Sequence, residues 1–423
     1  MIRRALALVL LNLLAFPVAW AEDWPEFRGP TGQGVSDAVN LPVDWSTTRN
    51  VAWKRPLPGK GWSSPIVYAG RIYVTAAVPP DAAAAQANAE SADQSLRTLC
   101  LDAVGGQELW NVEVFRQRGA DTEAIHGKNS HASPTPLTDG RLLYVHFGTH
   151  GTAALDLDGN IRWQNRELKY KPQHGNGGSP ALVDKHLVLS VDGSDVDYVV
   201  ALDRETGRIA WKTPRELDKD KQRFSFSTPL AIEVAGRTQV VSSGTDSVSA
   251  YDPLTGRELW KVGYTGFSVV PRPVFGQGLL FICTGFGTPH LLAIRPDGAG
   301  DVTSTHVAWR EKRQMPNTPS PLLVGEDLYV VSDSGIATCL DAKTGQQHWQ
   351  KRLGGNYSAA PLFADGKVYF QSEDGTGIVL SAGRQYTELS RNSLGERTLA
   401  SYAVADGAIF IRGEQNLYRI QNP

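Results

Sequence analysis

One ten-residue phrase recurs along this chain. LDRETGRIAW at 202–211 returns as YDPLTGRELW at 251–260, LDAKTGQQHW at 340–349 and LDAVGGQELW at 101–110. A shorter copy, LDLDGNIRW, occupies 155–163. Strand-type copies spaced roughly 40–50 residues apart describe a ring of similar sheets, not a row of unrelated domains. The length, 423 residues, would otherwise suggest two or three domains. The repeat overrides that expectation, because a closed ring folds as one unit.

Each copy opens on a small residue and a proline, then an apolar strand, a turn and a second strand. Pro65, Pro136, Pro180, Pro273, Pro321 and Pro361 each stand eight residues before Tyr73, Tyr144, Val188, Phe281, Tyr329 and Tyr369 respectively. Pro229 opens a copy with a longer turn, and Tyr402 takes the proline position in the last copy. Eight openings predict an all-β, eight-bladed β-propeller of four-stranded antiparallel blades. Six copies close on tryptophan: Trp110, Trp163, Trp211, Trp260, Trp309 and Trp349. The copy from Pro361 has no such ending, and the last copy lacks a fourth strand. NVAWK at 50–54 matches HVAWR at 306–310. The N-terminal strand is therefore expected to complete the last blade, which would leave no open sheet edge.

In each Asp-x-x-Thr-Gly turn, Asp can accept from its own backbone and Gly supplies a positive φ. The following Trp can then pack between blades, burying about 150–250 Å². Trp24 and Trp45 lie outside the repeat and are expected to matter less to stability. Ala76 to Thr98 and Phe115 to Ser130 break the period. The first reads as a surface loop or short helix, the second as an insertion before blade two.

Arg3-Arg4, an apolar run from Ala5 to Phe16 and Ala19-Trp20-Ala21 form a signal-peptide pattern. The expected organisation is a signal peptide at 1–21, an irregular segment at 22–48 and the propeller at 49–423. The expected location is periplasmic or extracellular, as a soluble monomer without a membrane span. Net charge is −2 with both signs interspersed, which argues against nucleic acid. Cys100, Cys283 and Cys339 each sit in an apolar strand and read as buried free thiols.

Strand alternation sorts the connections onto two faces. Loops entering the first strands share a face with the turns between second and third strands, and the Thr-Gly turns lie opposite. The first face collects the reactive groups. Its entering loops carry His126, Lys128, Asn129, His131, His174, Asn176, Ser225, Ser227, Arg272, Arg313, Asn317, Asn356 and Tyr357. Its turns add His146, His150, Asp192, Asp195, Asp197, Asp246, His290, Asp333, Glu373 and Asp374.

His126, His131, His150 and His174 either converge on one cation or cap backbone groups at the mouth; no short ligand motif decides it. The Asp192, Asp195, Asp197 run reads as a solvated turn, not a calcium loop. No Gly-x-Ser-x-Gly elbow accompanies the serines. GPTGQG and HGNGG lack the strand–loop–helix setting of a phosphate site. The cationic and amide donors suit an anionic or hydroxyl-rich small molecule, or an envelope protein.

The Ala-x-Asp-x-x-Thr-Gly-x-x-x-Trp pattern, met in full by Ala201–Trp211 and Ala250–Trp260, resembles the tryptophan-docking repeat of PQQ-type propellers. That family includes quinoprotein alcohol dehydrogenases, which hold pyrroloquinoline quinone and calcium, and the scaffold lipoprotein BamB. WPEFRGPTGQGVS with NVAWKRPLPGKGWSSP is similar to exported PQQ-like repeat proteins of planctomycete-type bacteria, a group with no activity attached. The chain has no adjacent Cys-Cys pair and no lipid-attachment Cys. The resemblance thus implies a non-catalytic binding or scaffold propeller ahead of a quinone-dependent oxidoreductase, with quinone and calcium disfavoured as cofactors.

Overall fold

The computed structural model describes residues 23–80, 93–119, 125–216 and 223–423. The expected signal peptide lies outside them. Eight antiparallel sheets follow one another in chain order, at 66–117, 137–165, 181–214, 230–263, 274–311, 322–352, 362–393 and 403–421. They are called blades 1 to 8. Blade 8 supplies three strands of its own, and its fourth is Val51–Pro56, antiparallel to Asn416–Gln421. The N-terminal strand thus closes the ring as expected. A short strand at Gly300–Asp301 adds in parallel to the outer strand of blade 4.

The repeated turn holds the blades together. Asp203 Oδ1 accepts from the Glu205 and Thr206 amides and from the Thr206 hydroxyl. Asp252 and Asp341 do the same with Thr255 and Thr344. The glycine that follows answers to two demands. Its φ is positive, and the indole of the preceding blade lies against it. A Cβ on Gly207 would fall 2.4 Å from the Trp163 ring, and one on Gly256 2.5 Å from Trp211. The indole then donates to the same turn: Trp163 Nε1 to Arg204 O, Trp211 to Pro253 O and Trp309 to Ala342 O, all at 2.9–3.0 Å. Trp53, from the closing strand, docks in the same way on blade 1 through Ala103 O. Trp260 reaches blade 5 through Gln239, whose Nε2 donates to Pro296 O.

A second ring of bonds runs around the axis. The residue before each opening proline sends its amide to a hydroxyl of the next blade. Ser64 donates to Thr135, Thr135 to Ser179 and Ser179 to Thr228. Arg272 donates to Ser320, Ala360 to Ser401, and Ser401 back to Ser64. The links onto Arg272 and Ala360 are missing because those two residues have no hydroxyl.

The segment at 23–48 crosses the channel instead of lying loosely on the ring. Trp24 pairs with Val67 of blade 1, Gln33 accepts the Phe275 amide of blade 5, and Gly34 and Ser36 bracket Phe363 of blade 7. Trp24 and Trp45 are both 1% exposed, less than the 8% of Trp211. Their expected lesser role is therefore corrected: both belong to the core cluster shared by blades 1, 7 and 8. The blade 1 insertion is corrected in part, since paired strands run to Val78 and resume at Gln94. Its tip, 81–92, and residues 120–124 of the second insertion lie outside the described residues. Cys100, Cys283 and Cys339 are buried free thiols.

Gly256 and Gly236 share a φ of +73°, but nothing lies within 4 Å of a Cβ on Gly236. Gly236→Ala should cost only the left-handed backbone penalty, about 1–2 kcal/mol. Gly256→Ala should cost that and the displaced indole, approaching the roughly 3–5 kcal/mol of Trp211→Ala. Trp24→Ala and Trp45→Ala should fall in the same range. Urea melts of the five variants check this; equal losses at the two glycines would contradict the docking.

Candidate functional site

The loop-bearing face holds a cavity of about 670 Å³ over the axis. Its floor is the hydroxyl ring, namely Ser64, Thr135, Ser179, Thr228, Ser320 and Ser401, with Phe27 of the N-terminal segment. Each of these hydroxyls accepts a neighbouring amide. Each therefore keeps its own O–H to donate.

One wall is aromatic. Phe226, Phe224, Phe267 and Phe286 form a ladder with successive centroids 5.8, 5.6 and 6.3 Å apart. His174 meets Phe224 edge-on at 5.4 Å and His126 at 5.5 Å. Burial, and then His126, holds the His174 imidazole below its usual value. These phenylalanines escaped notice in the sequence. In FSFSTP the alternation puts the rings into the cavity and the serines into the frame. Ser225 and Ser227 are buried and donate to Val269 O and Pro271 O.

The other wall is polar. Asp333 accepts from the Asn317 amide and the Thr318 hydroxyl, both at 2.7 Å. Glu373 accepts from Ser358 and pairs with Lys128 at 2.7 Å. That ion pair has a structural consequence. The loop at 125–130 is held on one side by blade 3, where His126 and Asn129 both donate to His174 O. On the other side, Lys128 reaches Glu373 of blade 7, and Gly127 O accepts from Arg397 at the entry to blade 8. Blades 3 and 7 face each other in an eight-bladed ring, so the loop is a strap across the mouth. Arg397 also lies over Trp62, 5.5 Å from its ring centre.

The structure thus brings His126, Lys128, Asn129, His174 and Asn317 to this cavity. His131, His150 and Asn176 line a second one of about 400 Å³, beyond the pairing of Ile125 with His174. The four histidines are divided between the two cavities. Among the described residues, no three His, Cys, Asp or Glu side chains are placed to hold a metal ion.

Asn356 is exposed, and its carbonyl takes the Glu373 amide. Arg272 and Tyr357 depart from expectation. Arg272 is 2% exposed because the N-terminal segment covers it, and it donates to Phe27 O, Pro229 O and Glu26. Tyr357 is fully buried in the core of blades 6 and 7. The expected solvated turn at 192–197 is corrected in part: Asp195 at its tip is exposed, but Asp192 and Asp197 are buried. Asp192 is buried against Arg215 at 2.8 Å, and burial, then Asp192, pushes Asp197 up to about 8.

A family model described as outer membrane protein assembly factor BamB matches residues 35–165, 80–213, 196–324 and 298–420. The quinohemoprotein alcohol dehydrogenase ADH IIB of Pseudomonas putida is 24% identical over 217 residues, which are 48% of this chain and 27% of that enzyme. The chain therefore spans about a quarter of that relative's length. The BamB structure from Moraxella catarrhalis superposes with a TM-score of 0.59 at 14% identity, covering 87% of this chain and 99% of that one. A europium-containing methanol dehydrogenase gives 0.64 at 11% identity, covering 93% and 90%. At such identities the superpositions establish the fold alone.

Two outcomes follow from the geometry. Glu373→Gln should free the strap, raising amide hydrogen exchange at 126–129 by about two- to fivefold, in keeping with a weak partly exposed pair. An unchanged exchange rate would contradict the strap. His146 is buried beside Thr152, and burial holds its imidazole down at about 3. Only the unfolded chain binds that proton below roughly pH 6.5, so this contribution to stability is lost as pH falls from there. His146→Gln should flatten the urea midpoint against pH in that window; a parallel curve would refute the assignment.

Proposed function

We propose, because this chain belongs to the PQQ-type repeat family described as outer membrane protein assembly factor BamB, that it is a non-catalytic binding propeller of the cell envelope whose ligand or partner surface is the strapped, loop-bearing face. The N-terminal pattern of Arg3-Arg4, an apolar run and Ala-Trp-Ala supports export. No helix among the described residues is long and apolar enough to cross a membrane.

The observation that carries the reading is the charge state of the cavity. Lys128 is the sole Lys or Arg among the lining residues, and Glu373 already neutralises it. Arg272 is turned into the plugged channel. Pyrroloquinoline quinone would bring carboxylates needing cationic partners. Its calcium would need six to eight oxygens. Asp333 and Glu373 are already engaged by their neighbours. The residues present do not fit that cofactor pair, and no reaction step is assigned to it.

The alternative, a quinone-dependent oxidoreductase acting on alcohols or sugars, is favoured by the identity with ADH IIB. One titration separates the two. Calorimetry with the quinone and calcium should give little heat, and added alcohols should produce no dye reduction. Micromolar binding with alcohol-dependent dye reduction would replace the scaffold reading with the enzymatic one.

A further inference from the structure

We infer that the cavity takes a short neutral oligosaccharide; this rests on reading the loop-bearing face as a ligand site. Three features of the cavity point to that class, and each removes an alternative. The first is charge. The lining residues carry one carboxylate, Asp333, and one ammonium, Lys128, which is already paired with Glu373 outside the lining. An anion would meet like charge and no free cation. A cation would find both carboxylates already taken by Lys128, Ser358, Thr318 and the Asn317 amide.

The second feature is the floor. Six hydroxyls accept from the frame and keep their protons to donate. A purely apolar ligand would strip water from these donors and return nothing, which is costly for each group left unpaired. The ligand must therefore present several acceptors at the floor. It must also present donors to the remaining lone pairs of Asp333. Hydroxyl groups do both at once.

The third feature is the ladder of Phe226, Phe224, Phe267 and Phe286. Phe286, at the rim, is 53% exposed, so the ladder runs from solvent into the cavity. Phenyl faces carry a negative π surface that attracts weakly positive C–H groups. A pyranose has C–H faces and a girdle of hydroxyls, which matches one aromatic wall and two polar surfaces. The cavity, about 670 Å³, lies within the roughly 300–1,000 Å³ of small-molecule sites. It has room for more than a single sugar unit.

The test uses the full mature chain and a named probe set: maltotriose, cellotriose, triacetylchitotriose, trigalacturonate and decanoate. Binding is followed by calorimetry and by the fluorescence of Trp62, which lines the cavity. At least one neutral trisaccharide should bind, and trigalacturonate should bind about tenfold more weakly or not at all. Phe267→Ala and Asp333→Asn should each raise Kd by about tenfold. Phe286→Ala, at an exposed position, should raise it without moving the melting temperature. If trigalacturonate or decanoate binds in a Phe286-sensitive way and no neutral trisaccharide does, the neutral-oligosaccharide assignment falls and the ligand site stands. If no probe shows Phe286-sensitive binding at millimolar concentration, the carbohydrate assignment falls and the ligand-site reading loses its support as well.

Discussion

The indole lying on a glycine is the contact on which this molecule depends. Each four-stranded blade is too small to bury both of its faces alone. The next blade must cover one of them, and the Trp–Gly contact fixes how. Gly207, Gly256 and Gly345 leave no room for a Cβ beneath Trp163, Trp211 and Trp309. The indole nitrogen finds a carbonyl in the same turn, so a large ring is buried with its one polar atom satisfied. One turn sequence thus shapes its own blade through Asp and Thr and receives the previous blade through Gly. Errors in one blade propagate to the next, which makes the ring cooperative despite its repeats.

Closure and plugging follow from the same N-terminal stretch. Val51–Pro56 supplies the missing outer strand of blade 8, and Trp53 docks on blade 1 as the other indoles dock on their successors. The residues before it cross the channel, so that the cavity is blind and not a tunnel. That crossing buries two guanidinium groups. Arg28 donates to Gln33 O and Pro321 O, yet burial and the neighbouring Arg272 hold it down at about 9. Glu26 offsets Arg272 at 3.2 Å. Buried charges of this kind are costly unless fully paired, and they add little net stability. A slipped segment would take Glu26 away from Arg272 and Arg28 away from Pro321 O. GPTGQG, unexplained in the sequence, wraps these groups, since a Cβ on Gly32 would lie 2.4 Å from Arg272 Nη1.

The frame was legible because periodicity is written in residue types. The Asp-x-x-Thr-Gly turns, the closing tryptophans and the small-residue–proline steps predicted the blade count and the closing strand. The face bearing the cavity was legible too, because strand alternation alone sorts the loops. The details of the site were less so. Polar residues in loops drew attention, but Ser225 and Ser227 serve the frame and their phenylalanine neighbours line the cavity. Arg272 and Tyr357 read as loop residues, and only the fold shows Arg272 covered by the N-terminal segment and Tyr357 buried in the core of blades 6 and 7. Trp24 and Trp45 carried no repeat signal, so nothing local revealed that the ring would fold over them. The link between Lys128 and Glu373 joins residues 245 positions apart in the chain, from opposite halves of the ring.

Where the repeat breaks its own rule, it shows how the axis of the ring is filled. The hydroxyl circle around the axis has eight positions, and two of them lack a hydroxyl: Arg272 and Ala360. A hydroxyl at position 272 would have completed that link of the circle. The arginine instead reaches Glu26 and Phe27 and fastens the segment that floors the cavity. Ala360 lines the cavity in blade 7, two residues after Ser358, which donates to the strap-holding Glu373. Both exceptions adjoin the cavity, one beneath it and one beside it. The broken circle, the plug and the strap together turn a symmetric channel into one asymmetric, blind site.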